Sequence, residues 1–230
     1  RGVEAMTPHD LYLEVGQRRT FAGAMRWPGW CRGGRNEGAA LAALLAAAPR
    51  YAAALADSPL GFVPPLTRDD FVVVERWAGT TTTDFGAPDG TPAIDEEPFD
   101  EAELARSLLL LDACWRAWDL AVAAAEGRTL RTGPRGGGRE REAIRAHVVE
   151  SGESYLRKLG WEAAGKAPSA LAARQQRLRH AIGEGLAAAQ RGEIAPTGPR
   201  GGQRWNARQF LRRTAWHILD HAWEIEDRIA

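Results

Sequence analysis

Two helix-start signals in the second half of the chain constrain its fold more than any other feature. Asp100 with Glu103 forms a capping box, with Phe99 and Leu104 at the staple positions. Asn206 with Gln209 forms a second box, flanked by Trp205 and Phe210. Each box gives partners to backbone N–H groups that have none at a helix start, so each marks a boundary. The first helix then runs from Asp100 to a stop at Gly127, the second over about Glu140 to Leu159, the third over about Ser169 to Arg191 before Gly192, and the fourth from Asn206 to the end of the sequence. Long helices joined by loops of about ten residues predict an antiparallel four-helix bundle over 99–230.

The front of the chain has a different grammar. Leu11, Leu13 and Val15 alternate with polar residues, and Thr20 to Trp27 reads as a second strand, with Gly16 to Arg19 as a hairpin turn whose glycine suits a positive-φ position. Pro28 and Gly29 stop that strand, Asn36 caps an alanine- and leucine-rich helix, and Phe71 to Val74 reads as a third strand closed by Gly79. This predicts a small ββαβ domain over 6–79, and an α+β class for the whole. Thr, Gly, Pro and Asp dominate 80–98, which reads as a linker or loop. Arg1 to Ala5, which precede Met6, are left out of the fold argument.

Composition bounds the functions. Hydrophobic residues make up 44% of the chain and nine are tryptophans, enough for a real core. Thirty basic residues balance thirty acidic ones, so no overall field draws the protein to nucleic acid or an anionic membrane. The most basic stretch, Arg128, Arg131, Arg135, Arg139, Arg141 and Arg145, is diluted by Glu140 and Glu142 and carries no interleaved aromatic, which favours a solvated loop over nucleic-acid binding. Cys31 and Cys114 stand far apart, neither a disulfide framework nor a ligand pair, and fit a reducing, cytoplasmic setting. The apolar run Ala39 to Ala48 is half a membrane span, and no charged-then-apolar signal segment opens the chain, so no membrane is expected.

The residues with chemistry to offer are histidines. His217 and His221 are four apart on the fourth helix, so their imidazoles project from one face a turn apart, the spacing with which a helix gives two ligands to one metal. They share a polar stripe with Arg213, Glu224 and Arg228. On one side lie Leu211, Ile218, Ala222 and Ile225, on the other Trp216, Leu219 and Trp223. The stripe is either a solvated face or the lining of a cleft at the bundle mouth, with both apolar arcs covered by neighbouring helices. His147, the one histidine of the second helix, is either a core histidine bonded to the backbone or the third ligand of an open site that keeps positions for water or substrate.

Other candidates rank lower. Glu150, Glu153 and Asp220 suit a solvated face better than a supporting role at the metal. His180, with arginines at 177 and 179, reads as a surface residue, and His9 as part of a flexible start. Cys31 follows a turn that would expose a thiol, but no histidine neighbours it in sequence. Cys114, Trp115, Trp118, Trp216 and Trp223 suit core packing. Trp27 and Trp30, large aromatics around the Pro-Gly turn, suit an interface with the bundle or a homodimer contact.

Two resemblances sharpen this reading. Ala24-Met25-Arg26-Trp27-Pro28-Gly29-Trp30-Cys31, then Gly34 and a helix opening near Glu37 to Ala40, resembles the HicB-like module in its order strand, strand, Pro-Gly turn, helix, strand, over about forty residues. One histidine early in the second helix followed by Ala215-Trp216-His217-Ile218-Leu219-Asp220-His221-Ala222-Trp223-Glu224 resembles the DinB-like superfamily of four-helix bundles with a divalent metal at one end. The chain departs from that pattern in its front domain and in the glycine-rich connection Gly133 to Gly138. Carried over residue by residue, the DinB-like resemblance implies His147, His217 and His221 as metal ligands. It also implies zinc, nickel or iron as the ion, a low-molecular-weight thiol such as mycothiol, bacillithiol or glutathione as cosubstrate, and transferase or isomerase activity on a small molecule. The alternative is a non-catalytic, metal-stabilised bundle whose HicB-like module binds protein.

Overall fold

The computed structural model describes residues 8–132 and 138–230; Arg1 to Ala5, Arg135 and most of the Gly133 to Gly138 connection lie outside them. The protein is a mixed α+β chain of two compact units, Arg1–Glu96 and Glu97–Ala230.

The first unit is built on a sheet of four strands in the order β3-β2-β1-β4. β1 (His9–Val15) and β2 (Thr20–Ala24) form the expected hairpin, antiparallel from Leu11 opposite Ala24 to Val15 opposite Thr20. The second strand therefore ends three residues before Trp27. β3 (Cys31–Gly34) pairs antiparallel with β2 and corrects the ββαβ expectation, because a further strand lies between the Pro-Gly turn and the helix. Its Cys-Arg-Gly-Gly sequence shows no alternation of apolar side chains. What it has is closeness: a Cβ on Gly33 would lie 3.0 Å from the Phe21 ring, and one on Gly34 2.3 Å from the Ala40 backbone nitrogen.

Helix α1 (Glu37–Leu55), capped by the Asn36 side chain on the Ala39 N–H, packs on β2 and β3 and leads into β4 (Phe71–Ala78), which pairs parallel with β1. By length and composition α1 is apolar enough to cross a membrane, beyond the half span read from Ala39 to Ala48. Here Leu44, Tyr51 and Leu55 of that helix are buried. Trp30 is fully buried, donates its indole N–H to the Leu44 carbonyl at 3.0 Å and stacks on Tyr51 at 6.0 Å. That corrects its reading as an interface aromatic; it is a core residue of its own unit. Trp27 packs edge-on against Phe62, with ring centroids 5.0 Å apart. His9, expected in a flexible start, belongs to β1, meets the Val63 carbonyl at 2.9 Å and packs edge-on against Trp30.

The stretch read as a linker or loop contains a short helix, α2 (Thr81–Phe85), and a 3-10 turn, Ala93–Glu96, both within the first unit. Polar groups hold it. Glu14 of β1 has no solvent exposure, and its carboxylate accepts from the backbone N–H of Asp89 at 2.9 Å and of Gly90 at 2.7 Å, and from the Thr83 hydroxyl. Asp84 accepts from the N–H groups of Gln17, Arg18 and Arg19 at 3.2, 2.7 and 3.1 Å, which clamps the hairpin turn and holds its carboxyl below the usual range. Gly16 is thereby explained differently from expectation. It is not among the glycines with positive φ; instead, a Cβ there would stand 2.4 Å from an Asp84 oxygen.

The second unit contains α3 (Glu101–Ala124), α4 (Arg141–Leu159), α5 (Leu171–Gln190) and α6 (Ala207–Arg228). Asp100 and Asn206 cap α3 and α6 through the N–H groups of Glu103 and Gln209, at 2.9 and 2.8 Å. Gly160 closes α4 in the left-handed conformation, as Gly127 and Gly192 follow α3 and α5. α6 packs against α3, α4 and α5, and α4 packs against α5 so closely that a Cβ on Gly152 would lie 2.6 Å from Leu178. Trp115, Trp118, Trp216, Trp223 and Cys114 are buried as expected.

Removing the Glu14 carboxylate leaves one buried and two part-buried donors without their acceptor, which costs roughly 3 kcal/mol. The Glu14→Ala protein should melt at lower temperature and be cut quickly by protease within 80–96, where the wild type is cut slowly. Equal cutting rates would mean that the carboxylate does not hold this segment.

Candidate metal centre

α6 is the most enclosed helix of its unit, and the two apolar arcs read around it are buried, from Leu211 and Ile218 to Trp216 and Trp223. The polar stripe between them therefore faces protein. His217 is buried at 5% exposure and Arg228 at 6%, whereas His221 is only partly buried. α4 lies against α6 and brings His147 to the pair. The His147 and His217 rings are 5.1 Å apart, His147 and His221 4.9 Å, and His217 and His221 4.5 Å. The Nε2 atoms of His147 and His217 stand 3.3 Å apart, and one ligand atom from each of the three residues lies within 4.8 Å of the others. The three histidines are thus close enough to bind one metal ion.

Compared against models of protein families, curated proteins and solved structures, the chain matches none.

Charge and burial favour the neutral imidazole at His147 and His217. Burial, then the neighbouring His221 and Arg139, lowers His147 from the ordinary imidazole value of 6.5 to about 4, with Glu224 pulling the other way. His217 lies well below 6.5 for the same first reason, followed by His221, His147, Arg213 and Arg139. Glu224 Oε2 stands 2.7 Å from His221 Nδ1, while its Oε1 accepts from Arg228 Nη1 at 2.8 Å. The His221 hydrogen bond, opposed by burial and helped by Arg228, keeps the Glu224 carboxyl below its usual range. Tyr155 sets its ring edge-on to His217 at 5.4 Å, and the Arg213 guanidinium lies over the Tyr155 and Trp216 rings at 5.5 and 4.9 Å.

The lower-ranked candidates stand apart from this cluster. Glu153 forms a two-point pair with Arg174 of α5, and Glu150 is exposed. His180 is exposed and faces Glu184 at 3.3 Å. Cys31 is buried in β3, which removes the exposure its turn suggested, and burial pushes the Cys114 thiol up to about 12. In the basic stretch, Arg141 and Arg145 pair with Glu142, and Arg131 donates to the Asp227 carbonyl. The residue undervalued from sequence is Glu224. Its offset of three from His221 was the available signal, since i,i+3 residues on a helix are neighbours.

For His147 and His217 the folded pKa is depressed. Above the unfolded value of about 6.5 both states are neutral and stability is intact; as pH falls toward about 4 the unfolded chain takes up protons the folded one refuses. The melting temperature of metal-free protein should therefore hold steady above pH 6.5 and fall between 6.5 and 5, before most carboxylates titrate. A melting temperature that is flat down to pH 5 would place both histidines in contact with water.

Proposed function

We propose that this chain is a metal-binding protein of the DinB-like type, with one divalent ion held by His147, His217 and His221, acting as a thiol-dependent transferase or isomerase on a small molecule. The observation that carries the reading is the convergence of three imidazoles from α4 and α6 in a protein interior. One buried and two partly buried histidines gathered without a further role would be a costly arrangement, since each polar ring needs a partner.

The donor set fits an ion. Two nitrogens bound to one tetrahedral ion at the usual zinc–imidazole length stand about 3.3 Å apart. That is also the separation of the His147 and His217 Nε2 atoms, 3.3 Å, and a ligand atom of His221 lies within 4.8 Å of the other two residues' ligand atoms. Neutral nitrogen donors suit zinc, nickel and iron alike. When bound, such an ion would supply Lewis acidity, lowering the pKa of a coordinated thiol or water. The protein's own part is to keep His147 and His217 unprotonated by burial and to hold the three rings in one place. Arg213 and Arg139 add positive charge that favours an anionic ligand beside the histidines. Glu224 does not favour a closed, purely structural site, because its two oxygens already face His221 and Arg228.

A HicB-like protein-binding module with a non-catalytic metal site remains the alternative, and thiol binding separates the two. Protein purified without a histidine tag should carry about one divalent ion per chain. His147→Ala, His217→Ala and His221→Ala should each lower bound metal several-fold, and His180→Ala should leave it unchanged. In cobalt-substituted protein, mycothiol, bacillithiol or glutathione should produce a sulfur-to-cobalt charge-transfer band. Metal binding with no spectral response to any thiol would favour the non-catalytic reading; full occupancy in His147→Ala would remove α4 from the site.

A further inference from the structure

The polar groups behind His221 form a continuous chain. His221 Nδ1 meets Glu224 Oε2 at 2.7 Å, and Glu224 Oε1 accepts from Arg228 Nη1 at 2.8 Å. Arg228, with a side chain only 7% exposed, donates its Nε to the Arg131 carbonyl at 2.8 Å and its Nη2 to the Arg139 carbonyl at 3.0 Å. The guanidinium is therefore held on three sides, and it holds the carboxylate.

An ionised carboxylate only accepts hydrogen bonds, so the imidazole nitrogen facing it must carry the proton. A neutral ring protonated at Nδ1 has its lone pair on Nε2, the far side from Glu224. We propose that Glu224 is a positioning residue for the metal centre: by accepting a hydrogen bond from Nδ1–H it fixes His221 in the tautomer that presents Nε2 to His147 and His217, and Arg228 fixes Glu224. The inference rests on the metal-binding reading and deepens it. Glu224 touches neither ion nor substrate; it sets which nitrogen of His221 is available and how the ring is turned. Support of this kind strengthens a histidine ligand both by orienting it and by raising its basicity.

The test uses the full chain and two substitutions of similar size, of which one can still accept a hydrogen bond and the other cannot. Glu224→Gln retains an oxygen at the same reach, and Glu224→Leu retains only bulk; melting curves establish that both fold. Long-range proton–nitrogen spectra of metal-free protein at about pH 8, where an ordinary imidazole is neutral, report the tautomer of His221 directly. Wild type and Glu224→Gln should show Nδ1 protonated and Nε2 bare, and Glu224→Leu should shift toward the Nε2-protonated form. Zinc affinity, measured by competition with a chelator, should fall roughly 10- to 100-fold in Glu224→Leu and much less in Glu224→Gln. The cobalt absorption spectrum should match between wild type and Glu224→Gln, because the donor atoms are unchanged.

An Nε2-protonated or doubly protonated His221 in the wild type would overturn the proposal, as would unchanged zinc affinity in Glu224→Leu. Equal losses in both variants with an altered cobalt spectrum would make Glu224 a ligand instead and overturn it likewise. Failure of the wild type to bind zinc or cobalt would sink the metal reading itself, and the tautomer spectra distinguish that failure from this one.

Discussion

A polar side chain on a helix enclosed by three others has to find its partner within the protein, and α6 carries several. His217, Arg212, Thr214 and Arg228 are all buried on it, and of these the Thr214 hydroxyl has no hydrogen-bond partner among the described residues. A buried polar group left without a hydrogen bond costs about 1–3 kcal/mol, more than a typical bond contributes. The second unit is organised around meeting that demand. His217 turns to His147 on α4, His221 to Glu224, and Glu224 to Arg228. Arg228 reaches the carbonyls of Arg131 and Arg139.

The same requirement shapes the end of α6. Arg131 donates its backbone N–H to the Arg228 carbonyl at 2.7 Å, Leu130 bridges Ile229, and the Ala230 N–H reaches the Thr129 carbonyl at 3.2 Å. Both sides of the connection between α3 and α4 are thus tied to the helix that carries two of the histidines. The candidate centre and the framework share their hydrogen bonds, so a change at Arg228 would act on both. In the first unit, Glu14 plays the equivalent part: one buried carboxylate gathers two backbone N–H groups and a hydroxyl, and converts a segment of turn-forming residues into a packed element.

What could be read from residues alone was whatever depends on neighbours in sequence. The caps at Asp100 and Asn206, the hairpin of β1 and β2, the glycine stops and the HxxxH pair are local, and the structure places them where their side chains and spacing require. The tryptophans at helical spacing were legible as core for the same reason. β3 was not, since its pairing depends on how closely Phe21 and the start of α1 approach its glycines rather than on any pattern in Cys31–Gly34. Gly16 was recognised as a turn glycine, but its cause was an aspartate far along the chain.

The sequence by itself determined where the helices of the second half begin and end, and it set two imidazoles on one helical face, because caps and the helical repeat act over three or four residues. Only the tertiary structure decided whether the stripe holding His217 and His221 faces water or protein, that His147 stands beside them, and that Glu224 lies behind His221. Those outcomes depend on how α4 and α6 are rotated about their axes when they pack, and that rotation is set by the fit of whole apolar surfaces rather than by any short run of residues.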